Sequence, residues 1–226
     1  PEGNIGFFSP RTNIFNVGYA RKFSSSIYGG INFKVISENI SNLKANGIAI
    51  DAGIRYVTGE NDQLKFGIAL KNVGPVMRYK GDGLAQQVEY TSTGFIASLE
   101  ERSATFEMPS LLCIGGSYDF IFNESNKLNL ALGFTANSFS NDQYRLGLDY
   151  GMTNDKMAFN LRAGYVYEKN LLNVENRSNA LIGPSAGFSI DALVGKNKTA
   201  LGLEYCARFA GVFGTIHTIG VTISLK

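Results

Sequence analysis

The amino-acid sequence predicts an all-β fold of the antiparallel transmembrane β-barrel class, and three observations support that prediction. From Thr12 to Lys226, extended stretches with apolar side chains on alternate positions recur about every ten to thirteen residues, which gives about eleven strands. Short connections alternate with long ones along the chain. Charged residues make up 18% of the sequence, below the ~25% usual for soluble domains. Because roughly ten residues of tilted strand cross a bilayer, each stretch is long enough to span a membrane.

Turn-forming residues set the bounds of the predicted strands, and no stretch has a convincing helical period. The clearest strand contains Leu128, Leu130, Leu132 and Phe134 on one face, with small or polar residues between them. The predicted strands cover residues 12–22, 26–36, 47–58, 63–73, 108–122, 127–139, 143–153, 156–168, 185–195, 198–209 and 214–226.

The connections fall into two classes that alternate strictly. The short class, rich in Gly, Asn, Asp and Ser, covers 23–25, 59–62, 123–126, 153–155 and 195–197. The long or variable class covers 37–46, 74–107 and 169–184, together with the briefer 140–142 and 210–213. In an antiparallel barrel this parity places every short turn at the periplasmic end and every long loop at the extracellular end. We therefore expect extracellular loops near 37–46, 74–107 and 169–184.

A single outer-membrane barrel domain is predicted over residues 1–226, because no linker-like segment divides the chain. Bacterial barrels of one chain usually close with an even number of strands. The odd count and the start at Pro1 rather than Met predict that one or three strands and an N-terminal segment precede this sequence.

The two faces of the strands predict which side meets lipid. The less apolar face carries Gly, Ala, Ser and Asn with isolated charges of both signs, as expected for a packed polar lumen rather than for a water-facing sheet. Tyr and Phe on the apolar face near the strand ends predict two aromatic girdles. The predicted lumen charges are Asp51, Arg55, Lys65, Arg145, Asp149, Arg162, Asp191, Glu204 and Arg208. They could line a solute path, or they could neutralise one another and keep the lumen shut.

The residue inventory argues against catalysis and against nucleic acid as a partner. The single histidine, His217, cannot build a zinc site, and no nucleophile motif accompanies it. A net charge of +2 without a long basic run provides no phosphate-binding track. We expect no enzymatic activity, no cofactor and no metal. Cys113 and Cys206 are predicted to be free, packed thiols rather than a disulfide.

The long loops are unusually apolar for exposed segments, which indicates either a lid over the barrel mouth or a docking surface for another protein. The 74–107 loop also contains Val88, Ile96 and Leu99, and its stretch Glu89–Thr93 could accept an added strand from a partner. The candidate partner-binding residues are Val76, Met77, Tyr79, Leu84, Tyr90, Phe95, Leu171 and Leu172.

Two segments resemble a known family. Phe66–Gly74 followed by Met77-Arg78-Tyr79, and Met108–Tyr118, are similar to the strand-loop and Pro-led strand segments of the PorV/PorQ family. Members of this family are relatives of the fourteen-stranded FadL-like barrels in Bacteroidetes. The PorV branch is the more similar of the two. The resemblance spans nearly the whole chain, and it implies three preceding strands and an N-terminal plug.

The resemblance also implies a role and a set of partners. It implies a component of the type IX secretion system, a protein transport machine, that associates with the large secretion translocon barrel. It further implies binding of the C-terminal signal domain of secreted cargo through extracellular loops, and delivery to attachment-complex proteins. The alternative is a FadL-like transporter of hydrophobic or small solutes. Both alternatives predict a multi-pass β-barrel in the cell outer membrane, in contact with membrane lipid.

Overall fold

The computed structural model describes residues 9–90, 95–169, 181–194, 199–211 and 214–224. These residues form an all-β structure with one short 3₁₀ turn at Asp82–Leu84. The strands are β1 (Arg11–Lys22), β2 (Ile27–Ile40), β3 (Leu43–Thr58), β4 (Leu64–Val73), β5 (Met77–Arg78), β6 (Ala85–Tyr90), β7 (Phe95–Glu100), β8 (Thr105–Phe106), β9 (Leu111–Ile121), β10 (Asn126–Asn137), β11 (Gln143–Thr153), β12 (Met157–Glu168), β13 (Gly183–Val194), β14 (Thr199–Phe209) and β15 (Thr215–Ser224).

Eleven of these strands form one large antiparallel sheet. Its order is β1-β2-β3-β4-β9-β10-β11-β12-β13-β14-β15, so each strand pairs with the next one along the chain once the short strands β5–β8 are set aside. This order confirms the predicted meander, and the strand bounds agree with the predicted ones to within a few residues. No helix among the described residues has the length and apolar character needed to cross a membrane.

The largest difference from the prediction lies at residues 37–46. The polar run Ser37-Glu38-Asn39 predicts a loop, whereas β2 continues to Ile40 and β3 begins at Leu43, with a tight turn at Ser41 and Asn42. The extended strands are held by further backbone pairing, because Lys44 and Lys80 exchange two N–H···O bonds of 2.8 and 3.0 Å. Ser41 has a positive φ of 51°, which lets the chain reverse within two residues.

The 74–107 connection is also folded rather than loose. β5 pairs with β8, and β6 pairs with β7 to form a separate two-stranded hairpin. In the hairpin Ala85 lies opposite Glu100 and Val88 lies opposite Ala97. The 169–184 connection lies outside the described residues from 170 to 180.

By compactness the chain falls into two units, which are residues 1–21, 30–52 and 70–110, and residues 22–29, 53–69 and 111–226. The first unit has a small apolar core made of Ile36, Ala45, Ala49, Met77 and Met108, with Tyr79 and Phe106 packed against it. The strand residues of this core share the polar face of β2 and β3, so the ends of the 74–107 connection pack onto that face.

In the second unit, the register from β9 to β15 separates an apolar face from a polar face. On the polar face, the register aligns one residue from each strand of β10 to β14, each opposite the next: Asn129, Asp149, Arg162, Gly187 and Cys206. On the other face, Leu132, Leu161 and Ile219 are 60%, 54% and 73% exposed. A sheet with leucine and isoleucine on its exposed face and charges on its other face has the arrangement expected of strands solvated by lipid.

Candidate functional site

The carboxylate of Asp51 is the centre of a polar cluster in the first unit. Lys34 Nζ lies 2.7 Å from Asp51 Oδ2 and 2.8 Å from the side-chain oxygen of Asn72. Asn32 Nδ2 and the backbone N–H of Asn72 donate to the same carboxylate at 3.1 and 2.8 Å. Asn72 adopts a left-handed conformation, with φ 59°, which aims its N–H at Asp51. The ion pair is mostly buried, and its charges are neutralised within the wall.

Two further ion pairs lie on the polar face of the second unit. Lys65 pairs with Asp119, which also accepts a hydrogen bond from Asn129. Arg162 Nε donates to Asp149 Oδ2 at 3.2 Å across β11 and β12. Lys34 and Asp119 were missing from the residues predicted for the lumen, although each alternates with apolar neighbours along its strand. That alternation was the signal that could have identified them.

Arg145 is held in a different way. It donates to Gln143 Oε1 at 2.9 Å, and Gln143 Nε2 donates to the fully buried Glu168 at 3.1 Å. Arg55, Asp191, Glu204 and Arg208 take part in none of the ion pairs formed within the described part of the chain. Within the described residues, the structure therefore joins Asp149 with Arg162 from the predicted set and leaves five of its charges, Arg145 included, without a salt bridge.

A cavity of about 300 Å³ opens on the polar face of β12 to β15. Glycine and small residues make this space, because Gly164, Gly187 and Gly220 replace side chains that would fill it. Arg162 and Glu204 bring charges of opposite sign to its lining, which also includes Cys206. Both Cys113 and Cys206 are free thiols, as predicted.

The ends of the 74–107 connection form a lid, which we define as residues 74–80 and 103–108. Met77 is 1% exposed and lies over Gly47, where an added Cβ would come within 2.6 Å of the Met77 sulfur. Tyr79 stacks on Phe106 at 5.2 Å between ring centroids. Met77 is buried and Tyr79 is half-buried, so both side chains pack within the lid.

Tyr79 also anchors the lid through a hydrogen bond. Its hydroxyl donates to Glu38 Oε2 at 2.7 Å, and its backbone oxygen accepts from Ser103 Oγ at 2.9 Å. The hydrogen bond to Glu38 raises the pKa of Tyr79, and burial and the carboxylate charge act in the same direction. Ionisation would break this bond and place two negative charges side by side.

The other predicted loop residues fall into three groups. Val76 is 52% exposed, and Leu84 is half-buried. The side chains of Tyr90 and Phe95, and all of Leu171 and Leu172, lie outside the described residues. On the β6–β7 hairpin, Val88, Ile96 and Leu99 are 37%, 60% and 47% exposed.

Aromatic side chains gather on the apolar face toward the long-loop ends of the strands. The rings of Phe134 and Tyr144 are 5.2 Å apart, and those of Tyr144 and Tyr167 are 6.3 Å apart. Tyr205 contacts Phe188, and its hydroxyl lies 2.7 Å from His217 Nδ1. His217 is therefore part of the strand wall. The described part of the chain contains no group of three or more His, Cys, Asp or Glu side chains that could hold a metal ion.

Neither a protein-family model nor a curated protein matches this sequence. Solved structures do match. The toluene transporter TbuX of Ralstonia pickettii is similar with a TM-score of 0.54 and 14% identity, over 95% of this chain and 67% of that one. A deletion mutant of TodX, a monoaromatic hydrocarbon channel, is similar with a TM-score of 0.56 and 10% identity, over 94% and 69% of the two chains.

The fold is that of FadL-like outer-membrane β-barrels. The β domain of the Bordetella autotransporter BrkA also aligns, over 95% of this chain and 90% of that one, with 16% identity and a TM-score of 0.47. The fold, together with the exposed apolar strand faces, places this chain in the outer membrane as a multi-pass β-strand protein.

Proposed function

We propose that this chain is a non-enzymatic outer-membrane barrel whose extracellular end docks another protein. The observation that carries the proposal is the β6–β7 hairpin. It pairs with no third strand among the described residues, and Val88, Ile96 and Leu99 are exposed on it. An isolated two-stranded hairpin is at best marginally stable in water. A partner that adds a strand or covers these side chains would stabilise it.

The lid supports this role by fixing the base of the hairpin. Met77, Tyr79 and Phe106 attach both ends of the connection to the polar face of β2 and β3. Because both ends are held, the hairpin is presented from a firm base, which lowers the entropic cost of binding. The ion pair between Lys34 and Asp51 adds rigidity to the strands β2 and β3 on which this base stands.

The segments that resemble the PorV/PorQ family suggest which proteins dock. We propose that the chain acts in type IX protein secretion, associates with a large translocon barrel and binds the C-terminal signal domain of exported cargo before its transfer to attachment-complex proteins. This assignment depends on the resemblance of Phe66–Gly74 and Met108–Tyr118. The hairpin supports protein docking of any kind and does not identify the partner.

The test is a set of substitutions on the hairpin. Val88→Asp, Ile96→Asp and Leu99→Asp together should abolish co-purification with the translocon barrel and cargo from native membranes, and cargo should accumulate in the periplasm. Phe139→Asp is the matched control, since Phe139 is 62% exposed and follows β10 at the same end of the strands. Unchanged secretion in the hairpin variant, at normal levels of the protein, would overturn the docking role.

A second candidate is transport of a hydrophobic or small solute. It is supported by the fold similarity to a toluene transporter and a hydrocarbon channel and by the cavity on the polar face. Thr218 lines that cavity, so Thr218→Phe should block uptake of labelled toluene into cells that express the protein. Thr222 lies on the same face of β15 and does not line the cavity, so Thr222→Phe should have no effect. Equal uptake by both variants and by cells without the protein would exclude transport.

A further inference from the structure

The backbone of the lid alternates its side chains between two environments. From Val76 to Lys80, Met77 and Tyr79 point into the core of the first unit, whereas Val76, Arg78 and Lys80 are exposed. Arg78 lies opposite Thr105 in the β5–β8 pair, and Lys80 lies opposite Lys44 of β3. Directly opposed residues of an antiparallel pair project to the same side. The side chains of Lys44, Arg78 and Lys80 therefore project to the same side, away from the core of the first unit.

Lys44, Arg78 and Lys80 surround a single cavity of about 500 Å³, with Asn46, Val76 and Thr105 completing its lining. None of the three cations belongs to any ion pair between side chains that the structure describes. Like charges directly opposite each other are destabilising, and the backbone hydrogen bonds hold Lys44 and Lys80 in that arrangement. An anion in the cavity would remove this repulsion, and a hydroxyl and an amide are present to donate to its oxygens.

The position of the cluster suggests where that anion comes from. Lys44 and Asn46 continue the face of β3 that carries Ile48 and Ile50, which are 46% and 43% exposed. Lys44 lies four residues beyond Ile48, about 13 Å along the strand. Because the strand is tilted, the height of Lys44 above the apolar band is smaller than this distance along the strand. That height corresponds to the headgroup layer of a bilayer. Val76 adds an apolar contact to the cavity on this side.

We propose that Lys44, Arg78 and Lys80 form a binding site for the phosphate-bearing headgroup of an outer-leaflet glycolipid. The cations bind the phosphate, Asn46 and Thr105 hydrogen-bond to its oxygens or to the sugar, and the acyl chains lie along Ile48 and Ile50. Binding ties the lid to the membrane surface from outside, while Tyr79 and Glu38 hold it from inside. The site does not depend on whether the hairpin docks a protein or the barrel transports a solute.

The test uses the purified chain in detergent, with diphosphoryl lipid A as the probe and native mass spectrometry as the readout. Because a cation near an anionic surface contributes about fivefold to affinity, Lys44→Gln, Arg78→Gln and Lys80→Gln together should weaken binding roughly a hundredfold. A control triple variant, Arg11→Gln, Arg21→Gln and Lys156→Gln, has the same change in net charge at exposed residues that do not line the cavity. It should bind as the wild type does.

Two further arms identify the source of the phosphate. Dephosphorylated lipid A should bind the wild type as weakly as diphosphoryl lipid A binds the cavity variant. Inorganic phosphate at millimolar concentration should not displace the bound lipid. Equal binding by the two triple variants would overturn the site, and equal binding of the two lipid forms would overturn phosphate recognition. Displacement by inorganic phosphate would show that the ligand is a soluble anion and would overturn the assignment to lipid. Unchanged thermal melting of the variants excludes misfolding as the cause.

Discussion

Tyr79 donates a 2.7 Å hydrogen bond to Glu38 and thereby links the lid to the extended end of β2. Glu38 belongs to a run that looks like a loop in the sequence, and Tyr79 belongs to a segment that looks like a docking surface. Their contact turns both into structural elements: β2 is prolonged to Ile40, and the lid is fastened at a defined place on the polar face.

The first prediction concerns the ionisation of Tyr79. Because its pKa is raised, the hydrogen bond to Glu38 stabilises the lid fully below pH ~10, the ordinary value for tyrosine. This stabilisation is lost as the pH rises through the higher, folded-state pKa. Spectrophotometric titration at 295 nm, taken as the difference between the wild type and Tyr79→Phe, should show a midpoint above 10. Glu38→Gln should move that midpoint downward. A midpoint at the ordinary value would contradict the contact.

The second prediction compares two neighbouring residues of the lid. Met77 is buried and Val76 is exposed. An aspartate therefore destabilises the fold strongly at position 77 and hardly at position 76. Met77→Asp should lower the free energy of unfolding by about 3 kcal/mol or more, whereas Val76→Asp should change it by less than about 0.5 kcal/mol. Urea titration in lipid vesicles measures both values. Similar costs for the two variants would show that the lid is not packed as described.

A third prediction tests the ion pair between Lys34 and Asp51. Asp51→Asn keeps the shape of the side chain but leaves Lys34 without its charged acceptor, at a cost of about 2 kcal/mol. In a double-mutant cycle with Lys34→Met, the second substitution should add little once the first is made. Asp191→Asn is the control, because Asp191 lies on the polar face and forms no ion pair within the described residues. Additive costs would mean that the two charges do not interact.

The fourth prediction concerns Gly74, where the chain leaves β4 for the lid. An added Cβ would collide with the backbone oxygen of Ile48, which has no room to move, and would meet Met108 at 2.8 Å. Gly74→Ala should therefore displace the lid and raise the rate of trypsin cleavage after Arg102, an exposed residue beside it. At Gly67, in β4, the corresponding contact is an ordinary 3.7 Å, so Gly67→Ala should leave the cleavage rate unchanged. Resistance of the Gly74 variant to trypsin would argue against this close contact.

Much of the strand framework was predictable because alternation is a local property. The face of each strand follows from side chains two residues apart, and turn residues mark where a strand stops. This is why β9 to β15 and both free cysteines agree with the sequence prediction. Residues 37–46 were missed because their polar composition is typical of loops. The partner that makes them strands, Lys80, is more than thirty residues away along the chain.

The sequence alone determined the all-β class and the number and order of the strands in the large sheet. It also determined that the charges lie on the face opposite the apolar one. All of these depend on residues that are close together in the sequence. Only the tertiary structure decided that Lys34 pairs with Asp51 and Asp149 with Arg162, and that Met77 and Tyr79 pack inward while Arg78 and Lys80 meet Lys44 outside. These contacts depend on the register between segments distant in sequence, where a shift of one residue exchanges the two faces.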